Sequence, residues 1–553
     1  MIYELKNKTF WIDEAVENLL EYMKEQKMDT DGLITCAAGM TPSCPIHFGI
    51  LREIAVSSFI ADELRSRGYR VRLVYYWDDY DHFCKIPFYT TKEAVEPYLG
   101  KTLREVPDFS GNYNSYGEHY MHSFELCLHR CGFIPDYDYQ SVKYTSGYYK
   151  KYIVHAIEKR FEIFDIINAA KKPYSKEVLE QREAFYPLEV YCAECGRDSA
   201  KTVSFDKETT TIKYVCQKCG HEGSYNIFSG FKGKLIWKAN WALRWSDDCV
   251  NFESSGENQL TDTGSYSVAT KIASEIFGGK TPFSLLYRFI GIPGVSKVSR
   301  ALGKSALASR FCDVLEPPVI RWLLVKTPPN KPITIDIEAG IFRIYHEWDM
   351  FCNKIHSGEA SDTEMRIWKI AANSVAISQT VIPFKIITTA LTIANGDKKL
   401  ASQLLYKITD FDGSVEDLKH RIAPRLEAAH NWLYKYNNVK NEAQLLTEFN
   451  QIAWDSLSEN CRKTICIITR DIFNLKKESE INELLHNAPK QVLAENCDDS
   501  LPDEQALSAL QKEVFVGMYR LLLGSDRGPK LATLLALLDK SIFRTLLRGA
   551  QYE

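Results

Sequence analysis

Four cysteines in two short pairs carry the sharpest chemical signal in the sequence. The two CxxC pairs are separated by 20 residues, and a glycine follows each pair. Two such pairs offer four thiolates to one tetrahedral zinc ion, and a site with four protein ligands has no open position for water. The spacing predicts a structural Zn²⁺ site formed by Cys192, Cys195, Cys216 and Cys219. The alternative is four unrelated cysteines, or a module that has lost its metal.

A second group of residues lies where a predicted strand turns into a predicted helix, in AAGMTPSCPIHFGI (37–50). A helix N-terminus offers unpaired N–H groups and the positive end of the helix dipole, which suits a phosphate. Gly49 would allow a nucleotide to approach the backbone closely, and His47 could donate to a phosphate oxygen. The stretch is therefore a candidate phosphate site. A tight turn with a packed histidine is the alternative.

Carboxylates mark the end of the next predicted strand, in WDDYD (77–81). Asp78, Asp79 and Asp81 could bind an amine, a ribose or a metal there. A solvated strand end would have the same composition, so the sequence leaves both interpretations open.

A third segment, FIGIPGVSKVSRALGKSALASR (289–310), is rich in glycine, serine, lysine and arginine. Such a loop could close over a triphosphate, with Lys297, Arg300 or Lys304 supplying positive charge. An ordinary solvent-exposed loop is the alternative.

The elements that must position these residues begin with a βαβ unit. Residues 33–38 read as a buried strand, 47–68 as an amphipathic helix ended by Gly68, and 69–81 as a second strand. This order predicts a parallel sheet, and ligands of parallel sheets bind at the carboxyl ends of the strands. Both the 37–50 corner and the WDDYD carboxylates lie at such ends.

The rest of the chain changes character along its length. From about residue 360 the pattern is helical, with capping boxes predicted at Ser361 with Glu364 and at Ser414 with Asp417. Two apolar helix faces are predicted, and 475–505 is predicted as a loop-rich connection. The faces consist of Leu418, Ile422, Leu426, Ala429 and Leu433, and of Leu445, Phe449, Ile452 and Ala453.

Composition limits the classes of protein. The chain has 553 residues, 45% of them hydrophobic and 25% charged, with a net charge of −4, which favours two to four globular domains over disorder, collagen or coiled coil. No apolar run of about 18 residues predicts a transmembrane helix, and the N-terminus does not resemble a signal peptide. The 15 cysteines favour reduced thiols in the cytoplasm. A nucleic-acid partner would require a locally basic surface.

In order along the chain, these segments resemble the class I, archaeal-type lysyl-tRNA synthetases. AAGMTPSCPIHFGI resembles that family's ASGxxPSGPIHIGN, and VRLVYYWDDYDHFCKIP resembles its strand ending in SWDDYDPFRKVP. NSYGEHYMHSFE (114–125) resembles its SYAEHF segment, and residues 234–279 follow its KLPWRVDWPMRW…FGG run. KVSRALG (297–303) stands where its KMSSSKG loop is expected, and LLGSDRGPKLATLLALLDK (522–540) resembles its C-terminal motif. The resemblance spans nearly the whole chain.

The resemblance implies an α/β fold: a Rossmann-type catalytic domain at 1–345, with a zinc knuckle inserted at about 185–230, and an α-helical, cage-like anticodon-binding domain at 346–553. It implies lysine–tRNA ligase activity, with lysine, ATP with Mg²⁺ and tRNA, in particular tRNA(Lys), as partners. We expect a cytoplasmic monomer. The C-terminal end has a basic balance from Arg520, Arg527, Lys530, Lys540, Arg544 and Arg548.

The resemblance also implies roles for particular residues. Catalytic residues would be His47, Lys297 and Lys304. ATP-binding residues would be His47, Gly49, Lys297 and Ser299. Amino-acid-binding residues would be Gly39, Thr41, Asp79, Trp241 and Tyr287.

This sequence departs from the family pattern at positions around the expected active site. Each change replaces a polar, charged or glycine residue of the family motif: Ala38, Cys44, Ile50, Cys84, Asn240, Asn258, Gln259, Leu260, Ser267 and Leu302. Losing one donor to developing charge costs roughly 10²–10³ in rate, so these changes predict weakened or altered catalysis. The alternatives to a lysine ligase are a paralogue for another amino acid or acceptor, and a non-catalytic tRNA-binding protein.

Overall fold

The structure is a computed structural model that describes residues 2–6, 9–84, 86–87, 89–259, 264–295, 307–373, 375, 378, 381–409, 411–436, 445–475, 477–494 and 504–548. The chain divides into two compact units. The first consists of Met1–Cys312, Ile320–Asp336 and Ala360–Val375, and the second of Asp313–Val319, Ile337–Glu359 and Ala376–Glu553. Among the described helices, none is long and apolar enough to cross a membrane.

A parallel sheet forms the centre of the first unit. Four strands pair in the order β10-β2-β3-β4, and a parallel bridge between Phe252 and Phe283 places β12 beside β10. The strands, with β1 and β11 flanking β12, are β1 (Ile2–Tyr3), β2 (Leu33–Met40), β3 (Arg70–Trp77), β4 (Asp136–Tyr139), β10 (Val250–Glu253), β11 (Ser255–Gly256) and β12 (Ser284–Tyr287). In chain order the central strands lie 3-2-1-4-5, the arrangement of a Rossmann sheet, whose direction of winding reverses between β2 and β10.

The predicted βαβ unit is confirmed. Strand β2 pairs in parallel with β3 along its full length, from Leu33 opposite Arg70 to Met40 opposite Trp77. A single 3₁₀ turn (Phe48–Ile50) leads into α2 (Leu51–Ser66), and Gly68 follows with a φ of +91° that favours glycine. Helix α2 packs on both strands, and Ser57 donates to the Ala37 carbonyl at 2.8 Å.

Among the described residues, twelve further α-helices are assigned wholly or partly to the first unit. They are α1 (Trp11–Glu25), α3 (Lys92–Val95), α4 (Tyr116–Arg130), α5 (Gln140–Thr145), α6 (Lys150–Glu158), α7 (Arg160–Ile167), α8 (Lys176–Glu183), α9 (Trp237–Asp247), α10 (Ser265–Glu275), α11 (Ala308–Val314), α12 (Pro317–Val325) and α14 (Asp362–Ala372). Helix α11 (Ala308–Val314) and α12 cross the division between the units.

The cysteine-rich segment forms an antiparallel sheet of its own, in the order β8-β7-β6-β5-β9. Its strands are β5 (Leu188–Val190), β6 (Ala200–Asp206), β7 (Thr211–Cys216), β8 (Glu222–Asn226) and β9 (Gly233–Leu235). A two-stranded parallel pair, β13 (Ile290–Gly291) and β14 (Ile333–Thr334), completes the strands of the first unit that the structure describes.

The second unit is helical in all its described residues that have regular structure. Its helices are α13 (Ile341–His356), α15 (Phe384–Ile393), α16 (Lys398–Ile408), α17 (Val415–His430), α18 (Gln451–Asp455), α19 (Glu459–Asp471), α20 (Glu478–Ala494), α21 (Glu504–Leu523), α22 (Leu531–Leu537) and α23 (Lys540–Leu546), with a π-helical turn at Asn431–Tyr436. The predicted boundary between residues 345 and 346 falls inside α13.

Both capping boxes are confirmed, at Ser361 with Glu364 and at Ser414 with Asp417. The apolar face predicted for α17 and the π-helical turn after it is also confirmed, since all five predicted residues are buried. Two other predictions were wrong. Residues 478–494 form a helix with Pro489 in its interior rather than a loop, and Ile452, predicted to be buried, is 85% exposed.

Buried charge organises part of the helical unit. Arg425 on α17 is almost fully buried, and its guanidinium contacts Glu316 at 2.6 Å, Asp349 at 2.7 Å and the Ile382 carbonyl at 2.9 Å. Every charge in this network is therefore paired, as a buried charge requires.

Candidate active site

The candidate site lies where β2 and β10 diverge, at the carboxyl ends of the parallel strands. Gly39 occupies the end of β2, and a Cβ atom there would lie 2.6 Å from the Tyr76 carbonyl oxygen and 2.8 Å from the Tyr76 Cβ. Only glycine fits beside β3 at this point. The crevice outside such a divergence is the usual ligand site of an open α/β sheet.

Glu53, which the sequence interpretation missed, joins two of the predicted amino-acid-binding residues. Its Oε1 accepts from the Gly39 N–H at 3.3 Å, and its Oε2 accepts from the Tyr287 hydroxyl at 2.9 Å. Glu53 lies in the first turn of α2 and is partly buried. A carboxylate on the core-facing side of an apolar helix was the signal that could have identified it.

A second carboxylate, Glu253 at the end of β10, is 4% exposed. It accepts from the Trp241 indole N–H at 3.1 Å and also from the Trp245 indole. Trp241, which the resemblance assigns to the amino acid, therefore contacts a carboxylate at the same edge of the sheet.

The two glutamates influence each other's ionisation. Burial, together with the negative charge of Glu253, raises the pKa of Glu53 to about 7, against the opposing bonds from Tyr287 and Gly39. Burial also raises the pKa of Glu253, opposed by the charge of Arg244. Two neighbouring carboxylates with raised pKa values form a site that a cationic ligand would stabilise.

The WDDYD carboxylates do not act as one cluster. Asp78 is buried and paired with Arg244 at 3.2 Å. Asp79, predicted to bind the amino acid, instead accepts from the Ser141 backbone N–H at 2.8 Å and from Arg104 at 3.0 Å. The described contacts of Asp79 therefore do not bring it together with Gly39, Trp241 and Tyr287.

Thr41, also predicted near the amino acid, donates its hydroxyl to Asp81 Oδ2 at 3.2 Å. Asp81 in turn accepts from the ammonium group of Lys234 at 2.9 Å. The last carboxylate of WDDYD is thus bound to two side chains rather than solvated.

The predicted nucleotide corner has the expected backbone. His47 precedes the 3₁₀ turn in an extended conformation and forms an antiparallel bridge with Leu307. Phe48 stacks on Phe311 at 4.7 Å between ring centroids, and Gly49 lies inside the turn. His47 and Gly49 therefore stand at the N-terminal end of the helix that follows β2. Lys297, Ser299 and Lys304, like Arg300 and Leu302, lie outside the described residues.

One departure from the family pattern has a structural explanation. Asn240 is fully buried; its side-chain oxygen accepts from the Tyr144 hydroxyl at 2.7 Å, and its amide donates to Asp78 at 3.4 Å. An aspartate at this position would set a second carboxylate against Asp78. The amide suits the network that the structure shows.

The other departures are spread over different surroundings. Cys84 is exposed, Ile50 is partly buried, and the Gln259 side chain accepts from the Gly256 N–H at 3.2 Å. Leu260 lies outside the described residues. At the C-terminal end, Arg520 pairs with Asp526 at 2.5 Å and Lys530 pairs with Glu478 at 3.0 Å, which reduces the basic balance that the sequence suggested.

The four predicted zinc ligands are brought together. All four sulfur atoms lie within 4.8 Å of one another, and the Sγ–Sγ distances Cys192–Cys219 and Cys195–Cys216 are both 3.7 Å. Each CxxC turn ends in a glycine with positive φ, +70° at Gly196 and +76° at Gly220. The N–H of each glycine donates at 2.9 Å to the carbonyl of the first cysteine of its pair.

Comparison with known proteins finds relatives that match nearly the whole length of the chain. A family model described as tRNA synthetases class I (K) matches residues 9–374. The lysine--tRNA ligase of Pyrococcus horikoshii is 31% identical over 97% of this chain and 99% of that protein, and that of Thermococcus kodakarensis is 31% identical with the same coverage. The lysine--tRNA ligase of Streptomyces coelicolor is 27% identical over 98% of both chains. This chain belongs to the tRNA synthetases class I (K).

Proposed function

We propose that this protein is a lysine–tRNA ligase. The carboxylate of lysine would attack the α-phosphate of ATP, forming lysyl-adenylate and releasing pyrophosphate, and the lysyl group would then be transferred to the 3′ end of tRNA(Lys). Near full-length relatives with that name support the proposal, as does the chemistry of the site.

The observation that carries the proposal is the presence of two carboxylates, Glu53 and Glu253, in contact with Gly39, Tyr287 and Trp241. These carboxylates are held by the Tyr287 hydroxyl, the Gly39 N–H and two tryptophan indoles, at the strand ends where α/β sheets bind ligands. A lysine substrate carries two ammonium groups, and an ammonium between these glutamates would satisfy both charges. The indole ring of Trp241 would cover the aliphatic part of the substrate.

The nucleotide end of the reaction is proposed for the corner at the start of α2. There His47 and Gly49 would receive ATP phosphates, favoured by the positive end of the helix dipole. Lys297, Ser299 and Lys304 would supply charge over the phosphates, with Mg²⁺ bound to the nucleotide. The protein's contribution would be positioning and charge stabilisation rather than covalent catalysis.

We assign a structural zinc ion to the four cysteines. Four thiolates around one Zn²⁺ at the usual Zn–S distance lie about 3.8 Å apart, and the two measured Sγ–Sγ distances are 3.7 Å. The donor set fits zinc, and four protein ligands leave no position for a substrate. The ion would hold the two turns together at the base of the β5–β9 sheet.

The two parts of the chain would divide the work. We propose that residues 1–345 form the catalytic domain, with the zinc insertion, and that residues 346–553 form the helical domain that reads the tRNA anticodon through splayed bases, stacking and local charge. The working form would be a monomer in the cytoplasm, where the 15 cysteines remain reduced.

ATP–pyrophosphate exchange with each of the twenty amino acids tests the proposal. Exchange that depends on lysine supports it, and exchange that depends on another amino acid identifies a divergent synthetase. Absence of exchange with every amino acid, together with salt-dependent tRNA binding on filters, would identify a non-catalytic tRNA-binding protein. Exchange that appears only in the Ile50→Asn, Leu302→Lys double variant would show that the departures disabled the parent.

A further inference from the structure

Asp81 divides its two carboxylate oxygens between two partners. Its Oδ2 accepts the Thr41 hydroxyl at 3.2 Å, and its Oδ1 accepts the Lys234 ammonium at 2.9 Å. The His82 backbone N–H also donates to Oδ1, at 3.1 Å. One oxygen therefore faces Thr41, the residue after β2, and the other faces Lys234 in the cysteine-rich sheet.

The Asp81 contact fixes the chemistry of the Thr41 hydroxyl. A threonine hydroxyl has one hydrogen to donate and two lone pairs to accept with, and an ionised carboxylate can only accept. Because the hydrogen is committed to Asp81, the hydroxyl can offer only its lone pairs to a ligand. It is suited to an ammonium group and unsuited to a carboxylate or phosphate oxygen.

Lys234, on β9, keeps Asp81 charged and in place. Its side chain is almost fully buried, and its ammonium lies 2.9 Å from Asp81 and 3.5 Å from Glu189 on β5. Although burial opposes ionisation, bonds from His82 and Lys234 hold the pKa of Asp81 well below its usual value. A buried lysine with two carboxylate partners is anchored far more firmly than an exposed ion pair.

His82 adds a second cation where the resembled family motif has proline. Its Nδ1 lies 3.4 Å from Asp81, 3.5 Å from Asp198 and 3.9 Å from Glu189. The neighbouring carboxylate of Asp81, foremost, raises the pKa of His82 to about 10. Asp81 is thus tied through two cations to carboxylates of the cysteine-rich segment.

We propose that Asp81, anchored by Lys234, is a positioning residue that sets the Thr41 hydroxyl as a hydrogen-bond acceptor for an ammonium group of the amino acid. The inference rests on the proposed lysine site and adds two residues that the resemblance did not assign to it. Asp81 acts through Thr41 and does not itself touch the substrate.

A double-mutant cycle with Asp81→Ala and Thr41→Val tests the inference. Pyrophosphate exchange gives KM separately for lysine and for ATP. Each single variant should raise the lysine KM at least about tenfold, the effect of one hydrogen bond to a charged group, with the ATP KM within twofold of wild type. The double variant should be no worse than the worse single one, because both changes remove the same contact.

Three further variants separate positioning from folding. Lys234→Met should raise the lysine KM in the same way, and Lys234→Arg should restore most of the affinity. Asp165→Asn breaks a partly exposed ion pair with Arg182 elsewhere in the same unit and should leave the lysine KM unchanged. If Asp81→Ala fails to fold, Asp81→Asn and Thr41→Val carry the comparison, with the melting temperature as the check on folding.

The outcomes are distinct. A wild type without lysine-dependent exchange refutes the proposed function. If the wild type does exchange with lysine, three results would each refute the positioning role alone. Asp81→Ala could leave the lysine KM unchanged, or it could raise the KM values for lysine and ATP equally. The effects of the Asp81 and Thr41 substitutions could also multiply in the double variant.

Discussion

Replacing Glu53 with glutamine should make the protein more stable and less able to bind lysine. The carboxylate of Glu53 ionises at about 7 in the folded protein, against 4.5 without the fold, because of burial and the charge of Glu253. Between these pH values the folded protein holds a proton that the unfolded chain has lost. The wild type must therefore lose stability as pH rises from about 4.5 to about 7.

The size of the stability change follows from the difference between the pKa values of Glu53 in the folded and unfolded protein. The difference between 4.5 and about 7 corresponds to roughly 3 kcal/mol as an upper bound, fully lost above the folded-state value. Glutamine has nearly the same shape and can still accept from the Tyr287 hydroxyl, but its amide nitrogen cannot accept from the Gly39 N–H, and it carries no charge at any pH. The melting temperature of the variant relative to that of the wild type should therefore rise by a few degrees from pH 4.5 to pH 8.

Melting temperatures of both proteins from pH 4.5 to 8.5, without ligand, measure the difference. The same variant should raise the lysine KM in pyrophosphate exchange by about a hundredfold, because a charge partner of the ammonium is lost. Glu158→Gln is the matched control: Glu158 is exposed and paired with Lys207, which lowers its pKa, so the variant should show no gain at high pH. A melting difference between Glu53→Gln and wild type that does not change with pH would refute the reasoning.

Four other substitutions probe the site, the metal and the helical unit. Tyr287→Phe removes a hydroxyl that lowers the pKa of its glutamate partner, so the pH at which lysine KM improves should move up by about one unit, measured by exchange from pH 6 to 9. Gly39→Ala forces a Cβ into the Tyr76 backbone and should lower both the melting temperature and lysine affinity; unchanged values would contradict the close approach. Cys216→Ser should abolish bound zinc, measured by elemental analysis, and increase proteolysis between residues 192 and 219. Arg425→Met leaves two buried carboxylates without their cation and should destabilise the helical unit by about 3–5 kcal/mol in urea unfolding. The pyrophosphate-exchange rate of the folded variant should be compared with that of the folded wild type.

Local patterns in the sequence determined much of the fold. The βαβ unit, its parallel pairing, both capping boxes and the apolar face of α17 follow from residue periodicity and short-range hydrogen bonding, which do not depend on distant parts of the chain. The same approach failed at Pro489 and at Ile452. The buried residues of α20, Pro489 among them, sustain a helix despite the interior proline, and Ile452 lies in a helix of only five residues.

The sequence by itself determined the four-cysteine cluster and the family, because both depend on residue types at fixed spacing. Only the tertiary structure decided how the site is assembled. Glu53 lies 200 residues from Glu253, Thr41 lies 40 from Asp81, and Lys234 lies far from both along the chain, so spacing carries no sign that they meet. Asp79 was predicted to bind the amino acid, but its carboxylate accepts hydrogen bonds from Ser141 and Arg104 instead. Strand pairing and burial, which are properties of the whole fold, decided which carboxylates contact Gly39, Tyr287 and Trp241 and which are bound to other neighbours.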